Sequence, residues 1–140
     1  MFLTKECDYG VRIIRALSCG TKKTIETIAE EEQMPQKYAY KIIKKLVIAG
    51  LVHSIRGRIG GYTLNKPLSK FHLLDIIAAV DTERYVSDCL RDSSRCPFKN
   101  DPAQACTVHL ELSRVQSLVY SELSSKTMDK ILNIKDGAHV

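Results

Sequence analysis

The segment from residue 24 to residue 64 most constrains this chain, because two short helical patterns there are followed at once by a glycine-rich hairpin pattern. Thr24 can cap a short helix with Glu26 in its first turn and Ile25, Ile28 and Ala29 facing inward, ending at Glu30, Glu31 and Glu32. Met34-Pro35 opens the next helix, proline suiting the first helical position. Tyr38, Ile42, Leu46 and Ala49 recur at helical spacing, Ile43 and Val47 lie beside them, and Gly50 is placed for a left-handed cap. Lys37, Lys41, Lys44 and Lys45 fall on the opposite side. Two helices joined by a tight turn, the second basic on its outer face, form the helix-turn-helix pattern. Residues 51–55 and 62–64 then alternate β-formers around Arg56-Gly57-Arg58-Ile59-Gly60-Gly61, a hairpin in the position of a wing. Its glycines let the backbone approach a partner closely, and Arg56 and Arg58 suit a narrow groove of negative potential.

Charge is distributed unevenly around this segment. Residues 1–70 carry 13 Lys and Arg against 6 Asp and Glu, whereas residues 71–140 carry 8 against 10. No acidic residue lies between Glu32 and Asp75, a window holding eight bases. A solvated surface normally mixes both signs, so a one-sign stretch points to a polyanion as partner rather than to a plain basic face or a membrane-surface helix. No apolar run reaches membrane-spanning length and no secretory pattern opens the chain, so a cytoplasmic protein is expected.

Around this centre, Thr4 can cap a first helix to about Ser18 with Tyr9, Ile13, Ile14 and Leu17 as its apolar stripe, and Gly20 ends it. A short helix is expected at about residues 73–80, with Leu74, Ile77 and Ala78 inward. Residues 81–100 lose periodicity and read as a loop. Residues 101–104 (Asp-Pro-Ala-Gln) supply a cap for a helix to about Ser124, with Ala105, Val108, Leu112, Val115, Val119 and Leu123 on one face. At roughly 22 residues it would span about 33 Å, more than a small winged domain needs, which favours packing against a second copy. A short helix over 127–132 closes the pattern. The fold class is therefore mainly α with a small β-hairpin. A winged helix-turn-helix occupies residues 1–80, a cysteine-containing loop 81–101, and a dimerisation helix with a terminal short helix 102–140.

Five cysteines, an odd number, argue against a disulfide framework. Cys7 reads as a buried helix thiol and Cys19 as core or helix-end packing. Cys89, Cys96 and Cys106 cluster, with His109 three residues beyond Cys106 and one helical turn from it on the same face. Three thiolates plus a harder ligand suit an iron–sulfur cluster or a zinc ion, and free cysteines are usually kept out of exposed loops. His53, His72, Asp75 and Asp81 read as structural residues. No nucleophile triad, carboxylate pair or substrate-binding glycine motif indicates an enzyme, and an electron carrier would leave the basic window without purpose.

The run from Gly50 to Pro67 (GLVHSIRGRIGGYTLNKP), followed by Asp75-Ile-Ile-Ala-Ala-Val-Asp81, closely resembles the Rrf-two family of bacterial winged-helix regulators. Leu3-Thr-Lys-Glu-Cys-Asp-Tyr-Gly-Val-Arg12 and Lys37-Tyr38 fit the same family, so the resemblance covers nearly the whole chain. It implies a DNA-binding transcriptional regulator acting as a homodimer on a partly palindromic double-stranded operator, with long C-terminal helices crossed between subunits. By the resemblance, Gln36, Lys37, Tyr38, Tyr40 and Lys41 lie at the major groove and Arg56 and Arg58 at the adjacent minor groove, with Lys44 a phosphate contact. Tyr40 stands where the family's iron–sulfur assembly regulator has a Glu, which implies a different operator preference.

The resemblance further implies that Cys89, Cys96 and Cys106 ligate an iron–sulfur cluster, 2Fe–2S or 4Fe–4S, controlling operator binding. His109 matches the fourth ligand of the assembly regulator, and Asp8 matches the first-helix ligand that the nitric-oxide sensor reaches from its other subunit. The alternative is a repressor of the same fold responding to thiol oxidation or zinc without a cluster.

Overall fold

α1 (Lys5–Leu17) begins where the Thr4 hydroxyl accepts the Cys7 amide at 3.4 Å, and Tyr9, Ile13, Ile14 and Leu17 form its buried stripe. The computed structural model describes residues 3–98 and 106–133. Gly20, at φ 79°, turns the chain after α1. Thr24 caps α2 (Ile25–Glu31), whose Ile28 and Ala29 are buried. The tight turn that follows places Gln33 in the left-handed region (φ 49°) and buries Met34, whose amide donates to the Ala29 carbonyl at 2.9 Å.

α3 (Gln36–Ile48) has Pro35 as its N-cap, one position earlier than the sequence suggests. Its buried face is Ala39, Ile42, Ile43 and Leu46. Tyr38 and Ala49, expected on that face, are exposed: α1 and α4 meet α3 along the Ala39–Ile43 side, which turns Tyr38 outward. Gly50 (φ 75°) ends the helix, and the hairpin follows directly. β1 (Val52–Ile55) pairs antiparallel with β2 (Gly61–Leu64) in the register Val52↔Leu64 to Ile55↔Gly61.

A bridge from Lys23 to Tyr62, with hydrogen bonds of 3.1 and 2.8 Å, fastens the hairpin to the turn between α1 and α2. Lys22 Nζ adds a hydrogen bond to the Ile59 carbonyl at the hairpin tip. A β-carbon at Gly61 would lie 2.8 Å from the Lys23 carbonyl oxygen, so this glycine serves the intramolecular bridge rather than approach to a partner.

α4 (Leu73–Val80) opens with a capping box between His72 and Asp75. Its buried residues are Ile76, Ile77 and Val80, while Leu74 and Ala78 are half-buried, because the helix is rotated to meet both α1 and α3. Beyond it the loop contains α5 (Asp88–Arg91) and a 3-10 turn, Ser93–Arg95.

α6 (Thr107–Leu123) has 17 residues and spans about 26 Å. Cys106 is its extended N-cap, not a helical residue as expected, and the capping signal at 101–104 and Ala105 lie outside the described residues. After α6, α7 (Met128–Ile131) returns to the winged half: the Met128 amide donates to the Phe71 carbonyl at 3.0 Å, and its side chain is fully buried. Among the described residues no helix is long and apolar enough to cross a membrane.

This placement of α3 makes a direct test. Ile42→Ala should cost about 2–5 kcal/mol of unfolding free energy. Ile48→Ala, on a side chain 87% exposed, should cost less than about 0.5 kcal/mol. Chemical denaturation of the two variants reads both; equal losses would contradict the rotation of α3 described here.

Candidate nucleic-acid interface and cysteine loop

Sealing one face of α3 into the core obliges the other to face solvent. Lys37, Tyr38, Tyr40, Lys41 and Lys44 line an open groove of about 520 Å³ on that face. Their environments differ. Lys37 makes no hydrogen bond or ion pair within the described chain, while Lys44 Nζ lies 4.4 Å from the centre of the Tyr40 ring. Tyr38 packs against Tyr9 at 6.0 Å between ring centroids. Gln36 donates to Glu26 at 3.1 Å, so its amide is held at the start of the helix.

Lys41 and Lys45 converge on Glu6, at 2.5 and 2.6 Å, and Lys45 also donates to the Val80 carbonyl at 2.7 Å. Hydrogen bonds from Lys41 and then Lys45 hold the Glu6 carboxyl below its usual range. Lys45, expected on the outer side with the other lysines, therefore points toward α1 and α4 instead.

The hairpin supplies two more cations. Arg56 and Arg58 are exposed and make no ion pair among the described residues. Lys22 and Lys23 hold the hairpin to the turn between α1 and α2, which both pack against α3, so the arginines and the outer lysines are mounted on one core.

The cysteine loop follows α4 in the chain. Cys89, Cys96 and Cys106 are half-exposed free thiols. Cys89 and Cys96 line one cavity of about 610 Å³ with Asp88, Arg91 and Asp92. Cys106 stands at the N-terminus of α6 and half-buried His109 is in its first turn. Among the described residues no group of three or more His, Cys, Asp or Glu is gathered as a metal site. Asp8 is half-exposed on α1 and paired with Arg12 at 3.0 Å. Cys7 is buried, its thiol 3.9 Å from the Asp81 carboxylate at the root of the loop. Cys19 is exposed at the end of α1, not packed in the core. Burial pushes its thiol up, but hydrogen bonds with Thr21 and the charge of Lys23 prevail and leave it below its ordinary value.

Two residues outside the sequence expectations anchor this loop. Gln116, 8% exposed, accepts the Val86 amide at 2.7 Å and donates to the Arg84 carbonyl at 3.3 Å; Tyr120 donates to the same carbonyl at 3.1 Å. Gln116 lies four residues after Leu112 and three before Val119, a polar residue at helical spacing with the apolar face, and that was the available signal.

A short helix, a tight turn, a helix with outward lysines and a fastened hairpin bearing two arginines constitute a winged-helix DNA-binding regulator. The chain belongs to the Rrf2 family, described as an iron-dependent transcriptional regulator, whose profile matches residues 3–134. It is 26% identical to protein aau3 of Rhizobium meliloti over 96% of this chain and 87% of that protein. It is 25% identical to the transcriptional regulator NsrR of Oceanobacillus iheyensis over 94% of this chain and 90% of that one.

Solved structures share the fold. CymR, the global cysteine regulator of B. subtilis, superposes with a TM-score of 0.71 at 24% identity, over 95% of this chain and 97% of that one. T. potens IscR superposes with a TM-score of 0.73 at 22% identity, over 98% and 90%. The family and its member NsrR are described as transcriptional regulators, and this chain is a transcriptional regulator rather than an enzyme.

Gln116→Ala should loosen the 84–86 segment at a cost of about 1–3 kcal/mol, because the part-buried Val86 amide loses its partner while the Arg84 carbonyl keeps Tyr120. Hydrogen exchange at the Val86 amide should accelerate while exchange in α3 is unchanged; unchanged protection of Val86 would refute the anchoring role.

Proposed function

We propose that this regulator binds a partly palindromic operator as a homodimer, with α3 in the major groove and the hairpin at the adjacent minor groove. The observation that carries this reading is the set of exposed cations, Lys37, Arg56 and Arg58, which make no ion pair among the described residues and are presented by α3 and by a hairpin mounted on the same core. Gln36, Tyr38, Tyr40 and Lys41 complete the contact surface, glutamine suiting adenine and tyrosine phosphate. Val108, Leu110 and Leu118 leave α6 with apolar side chains 64%, 60% and 55% exposed, which supports a second copy as the partner of that helix.

The cysteine loop is the proposed control element. Its donor chemistry fits an iron–sulfur cluster: three free thiols, two of them sharing one cavity and the third at a helix N-terminus. Cys89, Cys96 and Cys106 would hold the cluster, with His109 or Asp8 of the other copy as the fourth ligand. When bound, such a group supplies iron and sulfide that respond to iron supply, nitric oxide or oxidants.

The chain's own residues carry the consequence. The loop is rooted at Asp81, which Cys7 of α1 faces, and at Val80, whose carbonyl holds Lys45 of α3. A change in the loop therefore bears on both helices, and operator half-sites of fixed spacing turn a small change of pose into a change of affinity. A second reading is control by thiol oxidation or zinc without a cluster, which the same three half-exposed free thiols support.

Arg56→Ala should weaken operator binding by about 1–3 kcal/mol and relax A·T preference beside the major-groove contacts. Equal losses on operator and scrambled duplex would refute its role in specificity. Lys44→Ala should flatten the salt dependence by about one unit of slope. Anaerobically purified protein should contain iron and sulfide and absorb in the visible, and Cys96→Ala should lose that absorbance together with control of DNA affinity. Metal-free protein whose affinity shifts on mild oxidation would favour the thiol reading. Affinity insensitive to Cys96→Ala, to iron and to oxidant would defeat both.

A further inference from the structure

The cations of α3 are unequally free. Among the described residues Lys37 has no partner and Lys44 only the Tyr40 ring, whereas one carboxylate, Glu6 of α1, engages both Lys41 and Lys45. These lysines are not equivalent. Lys45 is also held by the Val80 carbonyl at 2.7 Å, which fixes it into the domain with or without Glu6. Among the described residues Lys41 has no other hydrogen-bond partner, its side chain is 57% exposed, and it lines the groove with Lys37, Tyr38, Tyr40 and Lys44.

The other carboxylates near this surface are otherwise engaged. Asp8 pairs with Arg12, Glu32 with Arg15, Glu31 with Lys23, and Glu26 accepts from Gln36. Among the described residues, Glu6 is the acid that meets lysines of α3.

We propose, on the reading that α3 meets duplex DNA, that Glu6 is a built-in competitor of backbone phosphate for Lys41. A carboxylate oxygen at hydrogen-bond distance gives the ammonium what a phosphate oxygen would give it, so a phosphate can gain Lys41 only by displacing Glu6. An exposed ion pair of this kind is weak enough to be displaced and strong enough to tax each binding event. Glu6 itself touches no nucleic acid. It is a positioning residue that withholds one phosphate contact and sets DNA affinity below what the charge of α3 allows.

The test is a double-mutant cycle on the full chain, read by fluorescence anisotropy with a mixed-sequence duplex across a salt series. A mixed sequence suffices because phosphate contacts are sequence-independent. Glu6→Gln should tighten binding several-fold and steepen the dependence of log K on log salt by about one unit. Lys41→Met removes a cation of the contact surface and should weaken binding, by less than Glu6→Gln strengthens it, and in the Lys41→Met background Glu6→Gln should change neither affinity nor slope.

Equal tightening with and without Lys41 would overturn the proposal in favour of a general charge effect. Weaker binding by Glu6→Gln with an unchanged slope would overturn it too, showing that Glu6 only braces the helix. Circular dichroism checks folding, and Glu6→Ala supplies the same cycle if the glutamine variant is perturbed. Absence of salt-dependent binding by the unaltered protein would instead sink the DNA reading itself, an outcome distinct from a failed cycle.

Discussion

Ala39, Ile42, Ile43 and Leu46 of α3 are packed against α1 and α4, and the orientation they impose decides what the outer surface can be. A helix has one set of side chains per direction, so burying this face commits Lys37, Tyr40, Lys41 and Lys44 to the other. The hairpin depends on the same packing at one remove. It is attached through Lys22 and Lys23, in the turn that links α1 to α2, and its arginines keep a fixed relation to α3 only while α1 stays in place.

α1 thereby becomes the structural intermediary of the molecule. Its inner stripe supports α3, Glu6 in its first turn meets two lysines of α3, and Cys7 beside it faces the acid at the root of the cysteine loop. Adjacent residues on one helical turn thus look toward the nucleic-acid surface and toward the candidate sensor. Gln116 and Tyr120 of α6 hold the beginning of the loop from the opposite side, so the loop spans two supports, α1 with α4 and α6.

The charge of the basic window is thus less available than its count of eight bases suggests. Lys45 is turned into the domain and Lys41 is shared with Glu6, while Lys37, Arg56 and Arg58 make no ion pair among the described residues. Counting lysines along a helix measures potential, whereas the partners of each ammonium determine how much of it a phosphate meets.

Element order, helix caps at Thr4 and Thr24, the glycine end of α3 and the wing were legible in the sequence, because each rests on local chemistry: a hydroxyl for orphan amides, a residue free of Cβ at positive φ, alternating β-formers. Rotation within a helix was less so. Tyr38 is apolar enough to belong inside, Leu74 and Ile76 are both good core residues, and only the neighbours packed on α3 and α4 choose between them. The same reason hid Glu6, Gln116 and the inward turn of Lys45, whose partners lie 30 or more positions away in the chain. Local sequence determined which segments fold and where they end; tertiary packing decided which charges stay free, since that depends on groups the chain brings together only when its core closes.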